Sequence, residues 1–335
     1  MLKKALPVAA LAFTLPQLID RRKQKKYLLQ RKKTLESSPL SLISKEKSRG
    51  DLIDITVRSP IDGFLLSCTL YPQENPKGVV QVIHGIHEHK GRYGHFARHL
   101  QSQGYAVLVS DTRGHGRSVD EKYIRGYMGH YPRLRDDQYI ITKYLKSLYP
   151  QKPIYLFAHS LGSLIARAYL QKYDDEIDKL ILCGTAMYYQ PVGFALSFLR
   201  FVEFYTGISR WRAFDFLRKT SEEDILERLD EEPDYMHGFR ISELMTVLEL
   251  DHALYDFRAY KRKHLSLPIL SISGEHDYLV TGGSRGISAT MELLSRLGYK
   301  DMISVVYTGM HHEILKDPRK KFIYEDIVSF LALEK

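Results

Sequence analysis

Cysteine is scarce in this sequence. Among 335 residues there are two cysteines, Cys68 and Cys183, and each lies inside an apolar stretch with the pattern of a strand. One possible pair in a chain of this length is not a disulfide framework, and the two residues are not spaced as metal ligands. We therefore expect two buried thiols and a reducing compartment.

Long apolar runs are also lacking. The apolar stretch near the N-terminus runs from Ala5 to Ile19, and its 15 residues fall short of the roughly 20 that a membrane-spanning helix needs. Pro7 and Pro16 lie within it and disfavour a regular helix. A basic block follows directly, where a secretory signal has its small-residue cleavage site. The stretch therefore fits neither a spanning helix nor a typical signal peptide.

Most of the chain lacks an excess of positive charge. Residues 1–50 hold 13 of the 49 Lys and Arg residues but only 3 of the 40 Asp and Glu residues. The net charge of this segment is therefore +10, and that of the remainder of the chain is −1. The body therefore has no basic surface for a nucleic-acid partner. An apolar stretch followed by a polybasic one is typical of a membrane-surface anchor, so we expect peripheral membrane contact through residues 1–33. A disordered basic tail and a cleaved signal are the alternatives. The expected location is cytoplasmic, at the inner face of the membrane, in preference to secretion.

From Asp51 onward, strand patterns alternate with helix patterns, and there is no internal repeat. Two strands joined by a turn predict an antiparallel hairpin, and the later strands are continuous apolar runs typical of a buried parallel sheet. The predicted strands are 51–58, 64–71, 78–83, 105–110, 154–157, 179–183, 268–272 and 303–306. We expect an α/β fold over residues 51–335, with a mostly parallel sheet covered on both faces.

The long interval between the strands ending at Cys183 and beginning at Pro268 has helical patterning throughout. Its roughly 80 residues exceed any plain crossover, which predicts an inserted helical cap at about residues 186–262. The cap is rich in aromatic residues, and one helix face carries Phe194, Phe198 and Phe201. These three side chains are candidates for lining an acyl-chain pocket; packing within the cap is the alternative.

The pentapeptide Ala158-His159-Ser160-Leu161-Gly162 lies between a predicted strand and a predicted helix. Small residues on both sides of Ser160 allow a sharp turn that presents its hydroxyl at the carboxyl end of the strand. A serine becomes a nucleophile when a base accepts its proton and donors hold the oxyanion. Ser160 is therefore a candidate nucleophile if other loops at the same edge supply those groups.

The loop after the 78–83 strand begins His84-Gly85-Ile86. A glycine beside a strand end lets the backbone turn an N–H toward the site, which makes Ile86 N–H one candidate oxyanion donor. Leu161 N–H, at the start of the helix after Ser160, is the second. Three histidines within six residues of this loop also suggest a metal site, but no carboxylate or cysteine cluster completes one, and we expect no metal.

Two later loops offer an acid and a base. Asp277 lies a few residues past the strand that ends near residue 272, and His311 and His312 follow the strand that ends near 306. From the residues alone, either histidine qualifies as the base. The order serine, acid, histidine is that of the α/β-hydrolase arrangement.

With these loops in place, residues 51–333 resemble the monoacylglycerol lipase and lysophospholipase branch of the α/β-hydrolases, which carry a serine aminopeptidase-type hydrolase domain. The stretches that carry the resemblance are His84-Gly85, Glu88-His89, Gly91-Arg92-Tyr93, 111–118, the turn around Ser160, 274–277 and His312-Glu313-Ile314-Leu315. The resemblance implies Ser160 as nucleophile, Asp277 as acid and His312 as base, a lid where the cap is predicted, and no cofactor.

The chain departs from this branch at two positions. Ala158 stands where glycine is usual, and Ile86-His87 stand where smaller residues are common, which can narrow the acyl pocket. The expected function is a serine hydrolase that cleaves lipid-like carboxylic esters, such as monoacylglycerols or lysophospholipids, through an acyl-enzyme. A short-acyl esterase, a thioesterase or an aminopeptidase of the same fold is the alternative, and a non-catalytic binding protein the remote one.

Overall fold

The computed structural model describes residues 2–35, 43–186, 192–207 and 240–334. Its centre is a nine-stranded sheet with the strand order β1-β2-β3-β5-β4-β6-β7-β8-β9. The strands are β1 Ile43–Arg49, β2 Leu52–Arg58, β3 Leu65–Tyr71, β4 Val79–Ile83, β5 Ala106–Ser110, β6 Ile154–His159, β7 Lys179–Cys183, β8 Ile269–Gly274 and β9 Met302–Tyr307. The helices are α1 Leu2–Leu35, α2 Gly94–Ser102, α3 Tyr131–Leu148, α4 Leu161–Tyr173, α5 Val192–Thr206, α6 Ile241–Leu254, α7 Gly283–Leu297 and α8 Lys320–Ala332.

The predicted fold class is confirmed. Strands β1 to β3 are antiparallel, β3 also pairs antiparallel with β5, and the strands from β5 through β4, β6, β7 and β8 to β9 are parallel. Every residue of β4 to β8 is buried, which explains why these strands are continuous apolar runs. The parallel strands place their carboxyl ends at one edge, where α/β folds bind ligands.

The sheet begins before Asp51, where we expected the body to start. Residues Ile43–Arg49 form strand β1, which pairs antiparallel with β2 along its whole length. This strand escapes sequence prediction because Ile43 is followed by charged and polar residues. Such a composition is usual for an edge strand, since charged side chains protect its free edge from pairing with other chains.

Helix α1 runs without interruption from Leu2 to Leu35, so the prediction that Pro7 and Pro16 disfavour a regular helix is wrong. Packing favours the helix despite its prolines, since Pro16 is buried and the neighbouring Phe13 and Gln17 contact α5. Further along, Tyr27 Oη donates to Asp136 Oδ2 at 3.0 Å, and Arg31 Nε lies 2.8 Å from the same oxygen. None of the helices in the described ranges is long and apolar enough to cross a membrane.

A cluster of charged residues also attaches α1 to the rest of the molecule. His130 Nε2 lies 2.9 Å from Asp20 Oδ1 on α1, and His130 Nδ1 lies 2.8 Å from Glu249 Oε1 on α6. Burial lowers the pKa of His130, but the hydrogen bonds and charges of these two carboxylates outweigh burial and raise it to about 9. At neutral pH a charged imidazole therefore links α1 to α6. A cavity of about 580 Å³ lies beside this cluster, and the predicted catalytic residues do not line it.

Part of the predicted cap, residues 186–262, lies outside the described residues, namely 187–191 and 208–239. The described residues of this interval include helices α5 and α6. Helix α6 packs on α4, where Gln171 Nε2 donates to Ala253 O at 2.8 Å. The extent of the cap therefore stays a prediction.

Candidate active site

Ser160 occupies a strained turn between β6 and α4. Its φ is +51° and its ψ −117°, a conformation that costs about 1–3 kcal/mol for a residue with a side chain. The turn is held by hydrogen bonds from Ser160 N to Cys183 O and from Ser163 N to Ser160 O, both 2.9 Å. Gly162 is required here, because a Cβ at this position would lie 2.5 Å from Ile83 O. The fold therefore sustains a strained serine at the carboxyl edge of the sheet.

The predicted acid and base are in direct contact. His312 Nδ1 lies 2.7 Å from Asp277 Oδ2, and each side chain is 1% exposed. Burial lowers the pKa of His312, but the charge and hydrogen bond of Asp277 outweigh burial and raise it above 6.5. No hydrogen bond from the described residues occupies the opposite nitrogen, Nε2. His311 is exposed, so of the two candidate histidines it is His312 that contacts Asp277.

The ring of His312 lies beside the Ser160 turn. It stacks on the ring of His159 with centroids 4.8 Å apart and planes at 30°. His312 also lies against Gly184, where a Cβ would be 2.9 Å from His312 Cε1. Gly184 directly follows Cys183, and the carbonyl of Cys183 accepts the hydrogen bond from Ser160 N. The structure thus brings three loops, which follow β6, β8 and β9, to one place.

The loop that holds Ile86 lies against the same serine. A Cβ at Gly85 would lie 3.2 Å from Ser160 Cβ and 2.7 Å from Glu88 Oε2, so a residue with a side chain would displace these neighbours. His84 fixes the loop from the other side, because its Nε2 accepts from Thr112 N at 2.8 Å and its Nδ1 lies 2.6 Å from Gly85 O. Burial lowers the pKa of His84, which keeps the ring neutral and suited to both contacts.

The buried carboxylate of Glu88, for which the sequence predicted no role, connects this loop to the Ser160 turn. Glu88 Oε2 accepts from Gly85 N at 2.7 Å and from Tyr93 Oη at 2.7 Å, and lies 3.1 Å from His159 Nδ1. Burial raises the pKa of Glu88, but Lys316, whose ammonium lies 3.0 Å from Oε1, acts together with His159 and Arg92 to bring that pKa well below its usual range. One ionised side chain thus contacts both the loop that holds Ile86, the predicted oxyanion donor, and the residue preceding Ser160.

Two clusters among the described residues could offer three metal ligands each, namely Glu88-His159-Glu313 and Asp20-His130-Glu249. Cationic side chains already neutralise both clusters. In the first, Lys316 and Arg92 contact the carboxylates, and in the second Arg200 does so. The donor sets are therefore satisfied by protein groups, and we assign no metal to either cluster.

The aromatic candidates for an acyl pocket lie on α5. Phe194 is 72% exposed and Phe198 50% exposed, so neither is enclosed in this structure. Phe201 packs on α1, with its ring centroid 5.4 Å from that of Phe13. Their role in substrate binding stays a prediction.

Two relatives of known name are similar to this chain over most of its length. A monoacylglycerol lipase of Mycolicibacterium smegmatis is 25% identical over 265 residues, which cover 78% of this chain and 90% of the relative. A monoglyceride lipase of Rattus norvegicus is 25% identical over 276 residues, which cover 76% and 82% respectively.

Solved structures share the fold. A thermostable carboxyl esterase of Bacillus coagulans superposes with a TM-score of 0.71 at 24% identity, covering 87% of this chain and 98% of its own. A monoacylglycerol lipase of Paleococcus ferrophilus gives a TM-score of 0.64 at 24% identity, covering 79% and 98%. These likenesses confirm the α/β-hydrolase fold.

The sequence also matches a defined protein family. Residues 74–319 match the family described as serine aminopeptidase, S33. The match spans most of the chain and includes the Ser160 turn and the loops of Gly85, Asp277 and His312. This hydrolase-fold protein therefore belongs to the serine aminopeptidase S33 family.

Proposed function

We propose that this protein is a serine hydrolase that cleaves carboxylic esters of lipid-like substrates, of the monoacylglycerol or lysophospholipid class. The observation that carries the proposal is the buried pair of His312 and Asp277, 2.7 Å apart, beside a strained Ser160. A buried histidine with a perturbed pKa, next to a serine in a strained turn, is typical of an active site.

The chemistry follows from the positions of these groups. Ser160 Oγ attacks the ester carbonyl while His312 Nε2 accepts its proton, and the ionised Asp277 holds the Nδ1–H and stabilises the imidazolium. The N–H groups of Ile86 and Leu161 hold the oxyanion. His312 then protonates the departing alcohol, and a water molecule deprotonated by His312 hydrolyses the acyl-enzyme. No cofactor takes part in these steps.

The substrate class rests on different support. The two relatives of matching length are named monoacylglycerol or monoglyceride lipases. Because chemistry alone does not separate an ester from a thioester or a peptide, a short-acyl esterase, a thioesterase and an aminopeptidase remain the competing activities.

A series of substrates separates these activities. We expect kcat/KM for mono-octanoylglycerol to exceed that for monobutyrylglycerol by at least about tenfold, because each buried methylene contributes about 0.8 kcal/mol. Aminoacyl p-nitroanilides and short acyl thioesters are expected to react at background rates. A maximum at acetyl or butyryl chains would contradict the lipid assignment while leaving the hydrolase intact.

We also propose that α1 contacts an anionic membrane surface. Leu11, Leu15 and Leu18 are 62%, 39% and 49% exposed and recur at helical spacing. They lie on the face opposite Phe13 and Gln17, which contact α5. Five exposed basic residues follow on the same helix, namely Arg21, Arg22, Lys23, Lys25 and Lys26. Exposed leucines beside exposed cations fit a bilayer interface.

Vesicle co-sedimentation tests this contact. Changing Leu11, Leu15 and Leu18 together to serine is expected to weaken binding to vesicles containing phosphatidylglycerol by at least about tenfold. The matched control changes three leucines of similar exposure elsewhere, Leu65, Leu148 and Leu265, and is expected to bind like the wild type. Equal binding of the two triple variants would remove the proposal. Substitution is preferable to truncation at Asp51, which would delete strand β1.

A further inference from the structure

His87 and Glu243 form a buried contact between the oxyanion loop and helix α6. His87 Nε2 lies 3.3 Å from Glu243 Oε1, and both side chains are 0% exposed. Groups of this kind are seldom fully buried unless they are paired, because taking a carboxylate out of water is unfavourable. The two residues are separated by about half the chain, so the contact exists only when α6 and the loop are both in place.

The backbone of His87 is itself unusual. Its φ is +61°, in the left-handed region that favours glycine, and it is one of four non-glycine residues with positive φ in the described ranges. Such a conformation persists when its surroundings hold it there, and it recurs at functional sites. His87 directly follows Ile86, whose N–H is the proposed oxyanion donor.

Glu243 joins this loop to the first turn of α6. Its second oxygen, Oε2, accepts from Arg240 N at 2.7 Å, so one carboxylate both caps the helix and contacts His87. On the other side of the loop, Glu88 Oε2 accepts from Gly85 N at 2.7 Å. Ile86 therefore lies between two anchored points, one on the body and one on the interval predicted as the cap.

We infer that His87 is a positioning residue that couples helix α6 to the oxyanion loop through Glu243, so that the place of α6 sets the place of the Ile86 N–H. The inference rests on the proposed function. A glycine at position 87 would relieve the backbone, but it has no side chain that could contact the carboxylate of Glu243.

A double-mutant cycle tests the coupling. Glu243→Gln keeps the shape and the bond to Arg240 N, and His87→Asn keeps a residue that tolerates positive φ. Each variant is expected to lower kcat for p-nitrophenyl octanoate about tenfold while KM stays within about twofold of the wild type. An alkyl boronic acid mimics the tetrahedral intermediate, and its affinity for each variant is expected to fall by the same factor as kcat. The double variant is expected to be no worse than the worse single variant.

The matched control is Glu249→Gln, a buried carboxylate on the same helix that contacts His130 instead of the loop. It is expected to leave kcat unchanged. Wild-type kcat in Glu243→Gln, or losses that multiply in the double variant, would overturn the inference. If His87→Asn lowers the melting temperature by several degrees, its loss of activity reflects unfolding, and the kcat of Glu243→Gln alone tests the inference. Retained hydrolysis in Ser160→Ala would instead refute the proposed function, so the two failures are distinguishable.

Discussion

Changing Ser160 to alanine is expected to lower kcat for ester hydrolysis by at least about 10⁴-fold. The substitution removes the attacking oxygen and leaves His312, Asp277 and the oxyanion donors in place. Alanine suffers the same backbone strain at φ +51° as serine does, so the free energy of unfolding is expected to change by less than about 1 kcal/mol. Steady-state hydrolysis of mono-octanoylglycerol and chemical denaturation measure the two effects.

Ser163→Ala is the matched control for this substitution. Ser163 is buried one turn further along α4, where its hydroxyl donates to Ser160 O at 2.5 Å and lies 2.8 Å from the hydroxyl oxygen of Thr185. Losing these bonds is expected to cost about 1 kcal/mol of stability but less than tenfold in kcat. If Ser160→Ala retains more activity than Ser163→Ala, Ser160 is not the nucleophile.

Changing Asp277 to asparagine is expected to lower kcat by about 10⁴-fold with little change in structure. The amide can donate to His312 Nδ1 and so favours the tautomer with its proton on Nε2, where the base must be free. It also removes the charge that stabilises the imidazolium. The measurement is kcat across a range of pH, with the fold checked by circular dichroism.

The pH profile gives this prediction a second readout. The base acts when neutral, and Asp277 raises the pKa of His312 above 6.5, so wild-type activity rises with pH along a limb whose midpoint lies above 6.5. Without that charge, burial becomes the largest influence on His312 and lowers its pKa, so the limb of Asp277→Asn is expected to move to lower pH than that of the wild type. An unmoved limb would contradict the assignment of Asp277.

The exposed neighbour Glu275 supplies the control. Glu275 lies in the same loop as Asp277, and its carboxylate accepts from Gly309 N, in the loop after β9, at 2.8 Å, but its side chain is 46% exposed. Glu275→Gln is expected to keep kcat within about twofold, because screening by solvent weakens the influence of exposed charges. A loss as large as that of Asp277→Asn would mean that the loop's overall charge, and not the Asp277–His312 bond, matters.

Much of the fold could be predicted because buried strands and helices have simple patterns of apolar residues in the sequence. Strands β4 to β8 are covered on both faces, so each reads as a continuous apolar run, and the helices between them show one apolar face. The Ser160 turn was recognisable for a related reason, since a tight strand-to-helix turn restricts its neighbours to small residues. The order of the loops then predicted which side chains meet at one edge.

Other features could not be predicted because they depend on contacts with residues that are distant in the sequence. Strand β1 is polar because it is an edge strand, and the part of α1 around Pro16 packs on α5 through Phe13 and Gln17. The bond from Lys316 to Glu88 spans 228 residues, and no local pattern in a sequence records such a partner. Glu88 and His159 belonged to recognised stretches, but their roles depended on these contacts.

The most direct test of the central claim is to treat the full-length protein with a fluorophosphonate probe and locate the adduct by peptide mass spectrometry. We predict one adduct per chain, on Ser160, and no adduct in Ser160→Ala. Asp277→Asn is expected to react far more slowly, because His312 activates the hydroxyl less well. An unmodified wild-type protein, or an adduct on another residue that persists in Ser160→Ala, would contradict the account.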